Sequence, residues 1–268
     1  MPSAAAAPYA ARMTTSSPLY DRIGQGYRRF RRPDPRIAAL VREALGDAAS
    51  VVNVGAGAGA YEPTGLDIVA VEPSETMIAQ RPVGSARVVQ AAAEALPFAD
   101  RSFDAAMAIL TIHHWKREER RLPGLGELRR VARRRIVILT HLPDAAPFWL
   151  TDDYVPEITA MDRLIFPTVG ELEPTLGPAR VTIVPVPHDC TDGFLGAYWR
   201  RPEMYLDPEV RAAISGFAKL PESAERIERL RADLASGEWD RRHGALRERE
   251  SVDLGYRLLV FEGGAPRG

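Results

Sequence analysis

Two kinds of hydrophobic pattern alternate along this chain. Short, nearly continuous apolar runs rich in β-branched residues stand at 50–54, 67–72, about 87–90, 104–110, 135–140, 180–186 and 256–261. Such runs predict strands covered on both faces. The segments between the early strands carry apolar residues at three- and four-residue spacing, as amphipathic helices do. One covers 18–30, with Tyr20, Ile23, Tyr27 and Phe30 on a face, and breaks at Pro33 and Pro35. Asp34 caps the next, which runs from Pro35 to Leu45 and stops at Gly46. Ser74 caps a third that reaches Gln80 before Pro82, and a fourth covers about 117–132 with a break expected near Pro123-Gly124. Strands alternating with helices imply an α/β fold built on a parallel, doubly wound sheet.

Beyond residue 141 the pattern loosens. Residues 142–170 are aromatic and irregular, with a short helix at 168–176. Helices are expected at 193–201, 207–218 and 222–236, ahead of the last strand. Segments of about 142–179 and 188–253 are therefore expected to form a helical cap inserted into one domain spanning 17–268. Residues 1–16, rich in Ala, Ser and Pro, read as a disordered tail.

A length of 268 residues suits one such domain with its cap. The net charge of −1 supplies no pull toward nucleic acid or an anionic membrane, so the expected partner is a small molecule. The basic runs at Arg28–Arg32 and Arg133–Arg135 read as solvated flanks. No apolar run approaches a membrane span. Cys190 is the only cysteine, which excludes an internal disulfide and fits a reducing cytoplasmic location. His and Cys lack C-x-x-C or H-x-x-x-H spacing, so no metal is expected. Oligomeric state leaves no mark in the sequence.

The chemistry is concentrated in three strings. Val51-Val52-Asn53-Val54-Gly55-Ala56-Gly57-Ala58-Gly59 is a strand running into glycines spaced two apart, a loop whose backbone must lie close to a ligand. Asp67-Ile68-Val69-Ala70-Val71-Glu72 is a strand ending in a carboxylate suited to ribose hydroxyls. The third is Glu94-Ala95-Leu96-Pro97-Phe98-Ala99-Asp100-Arg101-Ser102-Phe103-Asp104. Together they resemble the class I S-adenosylmethionine-dependent methyltransferases, in the small-molecule branch of type 11. The glycine spacing and the third string are unlike those of nicotinamide-dependent dehydrogenases.

The resemblance implies a Rossmann-like seven-stranded sheet, mostly parallel, with the last strand antiparallel beside the sixth. It implies S-adenosylmethionine as cofactor. Gly55, Ala56, Gly57 and Gly59 would lie against its amino-acid part, Glu72 on its ribose, and Pro73, Met77, Ala93 and Glu94 around adenine. Leu110, with Tyr27 and Arg31 from the N-terminal segment, would complete the enclosure, Arg31 facing the cofactor carboxylate. Three positions depart from the family. Asn53 stands where an acid is usual, Ala92 where an Asp is usual, and the first strand-to-strand connection is short.

Acceptor-side candidates follow the strands. His113, His114 and His141 are candidate bases, against the alternative that they are structural histidines held by backbone. Trp115, His188, Tyr198 and Trp199 are candidates for substrate contact, against plain core packing. The expected activity is methyl transfer to a small-molecule acceptor, with a secondary metabolite as the candidate acceptor. The rival readings are a fold relative that binds cofactor without transfer, or one that catalyses a non-methyl reaction such as cyclisation.

Overall fold

The apolar runs form one sheet. The computed structural model describes residues 27–115, 121–220 and 224–263. Strands β1 (Ser50–Val54), β2 (Asp67–Val71), β3 (Arg87–Val89), β4 (Phe103–Ile109), β5 (Ala132–His141), β6 (Ala179–Ile183) and β9 (Tyr256–Glu262) stand in the order β3-β2-β1-β4-β5-β9-β6. The five strands from β3 to β5 are mutually parallel. Strand β9 runs antiparallel between β5 and β6, as the resemblance implied. A two-residue ribbon, β7 (Val186–Pro187) with β8 (Ser251–Val252), lies apart from the sheet.

Alternation sends side chains to two faces, and both are covered. Val51, Ala105, Met107, Val137, Leu139, Leu258 and Val260 pack with Ile37, Val41 and Leu45 of α2 (Pro35–Leu45). Val52, Val54, Ala106, Ile136, Ile138, Leu259 and Phe261 pack on the other side. Their partners are Leu125 and Leu128 of α4 (Arg121–Val131) and Leu172 and Leu176 of α6 (Val169–Leu176).

The helix signals act as expected at α2, where the Asp34 side chain accepts from Arg36 N at 3.0 Å and Gly46 ends the helix at φ 61°. Ser74 caps α3, but that helix is one turn, Glu75–Ile78, short of Gln80. Helix α1 (Tyr27–Phe30) is the end of the helix expected from 18; residues 18–26 lie outside the described residues. Helix α4 runs through Pro123-Gly124 unbroken.

The cap departs further from expectation. A π turn (Leu150–Tyr154) leads into α5 (Pro156–Ile165), where only irregular chain was expected. The segment 193–201 holds a 3-10 turn (Leu195–Tyr198) in place of a helix. The helix expected over 207–218 divides into α7 (Pro208–Ala212) and α8 (Ser215–Ala218), because Ile214 is extended and buried between them. Helix α9 (Ala224–Ser236) is followed by the unexpected α10 (Glu238–His243). Strand β6 stops at Ile183, three residues early. An aromatic cluster holds the cap: the Trp149 ring lies 5.3 Å from Trp239, 5.7 Å from Tyr205 and 5.9 Å from Tyr154. No helix among the described residues is long and apolar enough to cross a membrane.

Candidate active site

At the carboxyl end of β1 the chain turns sharply across the end of β2. Gly55 N and Ala56 N both donate to Val71 O, at 2.9 and 3.0 Å. Gly55 has φ 72°, and a Cβ there would lie 2.1 Å from Thr111 Oγ1, so the loop after β4 excludes any side chain. Two residues on, Gly57 N donates to Glu72 Oε2 at 2.8 Å, while Ser74 N donates to Glu72 Oε1 at 3.0 Å. Glu72 is 8% exposed. Burial raises its carboxyl above the usual range, and the two backbone donors and Arg81 oppose that rise. Each oxygen keeps a second lone pair for a ligand hydroxyl.

These residues border a cavity of about 560 Å³, well inside the range of small-molecule sites. Every residue expected to touch cofactor borders this one cavity except Tyr27, whose side chain lies outside the described residues. Trp115 and His114 border it too. Trp115 packs on α4, where a Cβ at Gly124 would meet its Cε3 at 2.8 Å and Ala93 Cβ at 3.4 Å. The Trp115 indole therefore stands on the Ala93-Glu94 side. Leu110 and Tyr61, both at the rim, hold φ of 51° and 58°, a strained setting for non-glycine residues that clusters at binding sites.

A second, smaller cavity of about 60 Å³ adjoins the first and shares Arg31 and Leu110 with it. His113, His141, Asp162, Phe166, Phe194 and Tyr256 are among its walls. The His113 ring stacks on Phe166 at 4.3 Å and 25°. His141 Nε2 lies 3.2 Å from Leu254 O, and its Nδ1 lies 3.6 Å from Asp162 Oδ2. Burial, then the positive charges of Lys219 and Arg31, pushes His114 down to about 3. His113 is driven well below its ordinary value by burial first, then by His114 and the same cations. The structure does not bring the other acceptor-side candidates to either cavity. Trp199 is fully buried with Nε1 donating to Val186 O and Pro187 O, Tyr198 packs in the cap core, and His188 faces Glu250 at 3.3 Å.

Several residues at the site carried no signal. Asp192, 1% exposed, accepts from Arg31 Nε at 2.5 Å and from the Tyr61 hydroxyl at 2.8 Å. It thereby ties the N-terminal segment to the loop after β1. Burial and Asp192 push the Tyr61 phenol up, so it stays a donor. Glu62 and Arg81 form an ion pair behind the glycine turn at 2.7 Å. Each is one acid or base far from its partner in sequence, which no local motif can flag. Cys190 is buried and its thiol is pushed up to about 12, so it is no nucleophile.

A family model described as a methyltransferase domain, of type 11, matches residues 52–138. A crystal structure from Anabaena variabilis ATCC 29413 is similar at 35% identity, with a TM-score of 0.78, over 87% of this chain and 98% of that one. It is described as a methyltransferase assigned to an antibiotic biosynthesis pathway. The chain belongs to the class I S-adenosylmethionine-dependent methyltransferases. More distant structures share the fold alone. A Thermotoga maritima methyltransferase matches at 15% identity and TM-score 0.51 over 92% of this chain and 99% of that one. The cyclase SpnF matches at 16% and 0.50 over 91% and 92%. No curated protein sequence matches the chain.

S-adenosylmethionine is the cofactor of this methyltransferase, and the cavity suits it chemically. A desolvated carboxylate with spare lone pairs at Glu72 matches a vicinal diol. Asn53 Oδ1 is buried without a hydrogen-bond partner at the other end of the β1 turn. Such an orphan costs about 1–3 kcal/mol until a donor reaches it, and an ammonium is a donor.

Proposed function

We propose that this methyltransferase passes the cofactor's methyl group to a small molecule, of the secondary-metabolite kind, whose reacting end enters the second cavity. The observation that carries this is the shared wall: Arg31 and Leu110 border both cavities, which sets the two sites side by side. In this reading Glu72 accepts both ribose hydroxyls, and Pro73, Met77, Ala93 and Trp115 supply apolar contact to adenine. Gly55 and Gly57 let backbone approach the amino-acid end. Arg31, oriented by Asp192, faces the carboxylate, and Asn53 Oδ1 takes the ammonium.

The bound cofactor supplies a methyl group already activated by sulfonium. The chain's own residues have to align the acceptor and keep the site dry. Phe166, Phe194 and Tyr256 exclude water from the acceptor end. His113 and His114, held neutral by burial, serve as walls and are poor bases. His141 has one nitrogen on the Leu254 carbonyl and the other 3.6 Å from Asp162, and His141 and Asp162 both border the cavity. With His113 and His114 held neutral, the site favours acceptors that are nucleophilic as they arrive, such as phenolates, enolates or neutral amines. The antibiotic biosynthesis pathway to which the Anabaena protein is assigned supports an acceptor of the secondary-metabolite kind.

The test is release of S-adenosylhomocysteine on incubation with phenols, enolisable ketones and amines. Phe166→Ala should raise KM for an accepted substrate about five- to thirtyfold, the worth of one aromatic wall, and leave S-adenosylhomocysteine affinity unchanged. Lost cofactor affinity with unaltered acceptor KM would place the acceptor elsewhere. Cofactor uptake with no turnover of any acceptor would favour a binder or a non-methyl reaction.

A further inference from the structure

The twelve residues between β1 and β2 contain no helix, and a buried ion pair braces them instead. Arg81 Nη2 donates to both oxygens of Glu62, at 2.8 and 2.7 Å, and to Ala86 O at 3.2 Å. Its Nη1 donates to Gly57 O at 3.3 Å, inside the glycine turn. The two side chains are 4% and 8% exposed. Glu62 Oε1 also accepts from Asn53 Nδ2 at 3.1 Å.

A side-chain amide can sit in two ways, related by a half-turn that exchanges its oxygen and its NH2. Glu62 can only accept, so it draws the NH2 of Asn53 to itself and leaves Oδ1 buried without a partner, in a residue that borders the cavity. Arg81 can only donate, so it fixes Glu62 in that accepting role. We infer that Glu62 and Arg81 are positioning residues. They set the polarity of Asn53 so that an oxygen, not an NH2, meets the cofactor ammonium. Where a carboxylate at this place would need no such control, an amide does. The inference rests on the proposed seat of the ammonium at Asn53.

Glu62→Gln tests it with almost no change of shape. The new carbonyl takes the Oε2 place against Arg81, and the new NH2 takes the Oε1 place, where it loses the second Arg81 bond, faces Asn53 and turns the Asn53 amide over. Affinity for S-adenosylhomocysteine should fall about tenfold, the worth of one hydrogen bond to a charged group. Affinity for 5′-methylthioadenosine, which lacks the amino-acid end, should hold. The double variant Asn53→Asp/Glu62→Gln restores a compatible chain, with acceptor at 53 and donor at 62, and should regain affinity for S-adenosylhomocysteine. Equal losses for both ligands, unchanged binding in Glu62→Gln, or no recovery in the double variant would each overturn the inference. Wild-type protein that binds S-adenosylhomocysteine no more tightly than 5′-methylthioadenosine would remove the ammonium seat itself.

Discussion

At the scale of single residues, the paired histidines after β4 govern how stability responds to acid. The His113 and His114 rings lie 3.8 Å apart, and both stay neutral in the folded chain because burial and nearby cations disfavour the charged form. In the unfolded chain each titrates near 6.5. Below that pH, and down to about 3 for His114, the unfolded chain binds protons that the folded chain refuses. Stability is therefore full above about pH 6.5 and falls as pH is lowered, by at most about 1.4 kcal/mol per pH unit for each histidine. His114→Gln should flatten the decline of Tm between about pH 7 and 4.5. Parallel declines for variant and wild type would mean that the folded ring accepts a proton. The types of these residues were legible in sequence, but their basicity was not. It arises from burial first, and then from Lys219 and Arg31, which reach the site from 105 and 83 positions away. Gly55, Gly57 and Glu72 were legible because strand, turn and acid follow one another in a local motif.

At the scale of elements, legibility followed local signals. Asp34-Pro35 and Gly46 marked α2 at both ends, and the helix obeys them. Helix α5 begins at Pro156 after Val155, which has no side-chain oxygen to cap it, and so gave no capping signal beyond the proline at its first position. Helix α10 carries one buried apolar side chain, Trp239, too little for a periodicity. The break expected at Pro123-Gly124 is absent from α4. Gly124 lets the helix lie against the Trp115 ring, and Gly126, two residues on, faces open space. The two glycines should therefore respond to alanine with opposite signs. Gly126→Ala gains helix propensity and should stabilise by roughly 0.5–1 kcal/mol. Gly124→Ala drives a methyl into the indole and should destabilise by about 1–2 kcal/mol. It should also weaken cofactor binding, since Trp115 borders the cavity. Urea midpoints of the two variants measure the contrast, and equal shifts would mean that Trp115 moves aside without cost.

At the scale of the whole molecule, the two halves of the site differ in how they are assembled. The cofactor half is built mainly from consecutive strand ends on one edge of the sheet, in chain order, and so could be read along the sequence. The acceptor half gathers Arg31, Leu110, His113, His141, Asp162, Phe166, Phe194 and Tyr256 from segments spread over 226 positions. Only the folded cap brings them together, which is why Trp199, a good sequence candidate, proves to be core instead. This difference has a thermodynamic consequence. The cofactor cavity is bordered by the N-terminal segment at Arg31, by β1, by the segment that follows β2 and by the loop after β4, so a ligand there resists global unfolding. S-adenosylhomocysteine at 100 times its Kd should add about 2.7 kcal/mol and raise Tm by roughly 5–10 °C for a chain of this size. NADH at the same concentration should leave Tm unmoved, because the glycine turn and Glu72 are arranged around a single nucleoside. A shift with NADH and none with S-adenosylhomocysteine would separate the fold from the chemistry assigned to it.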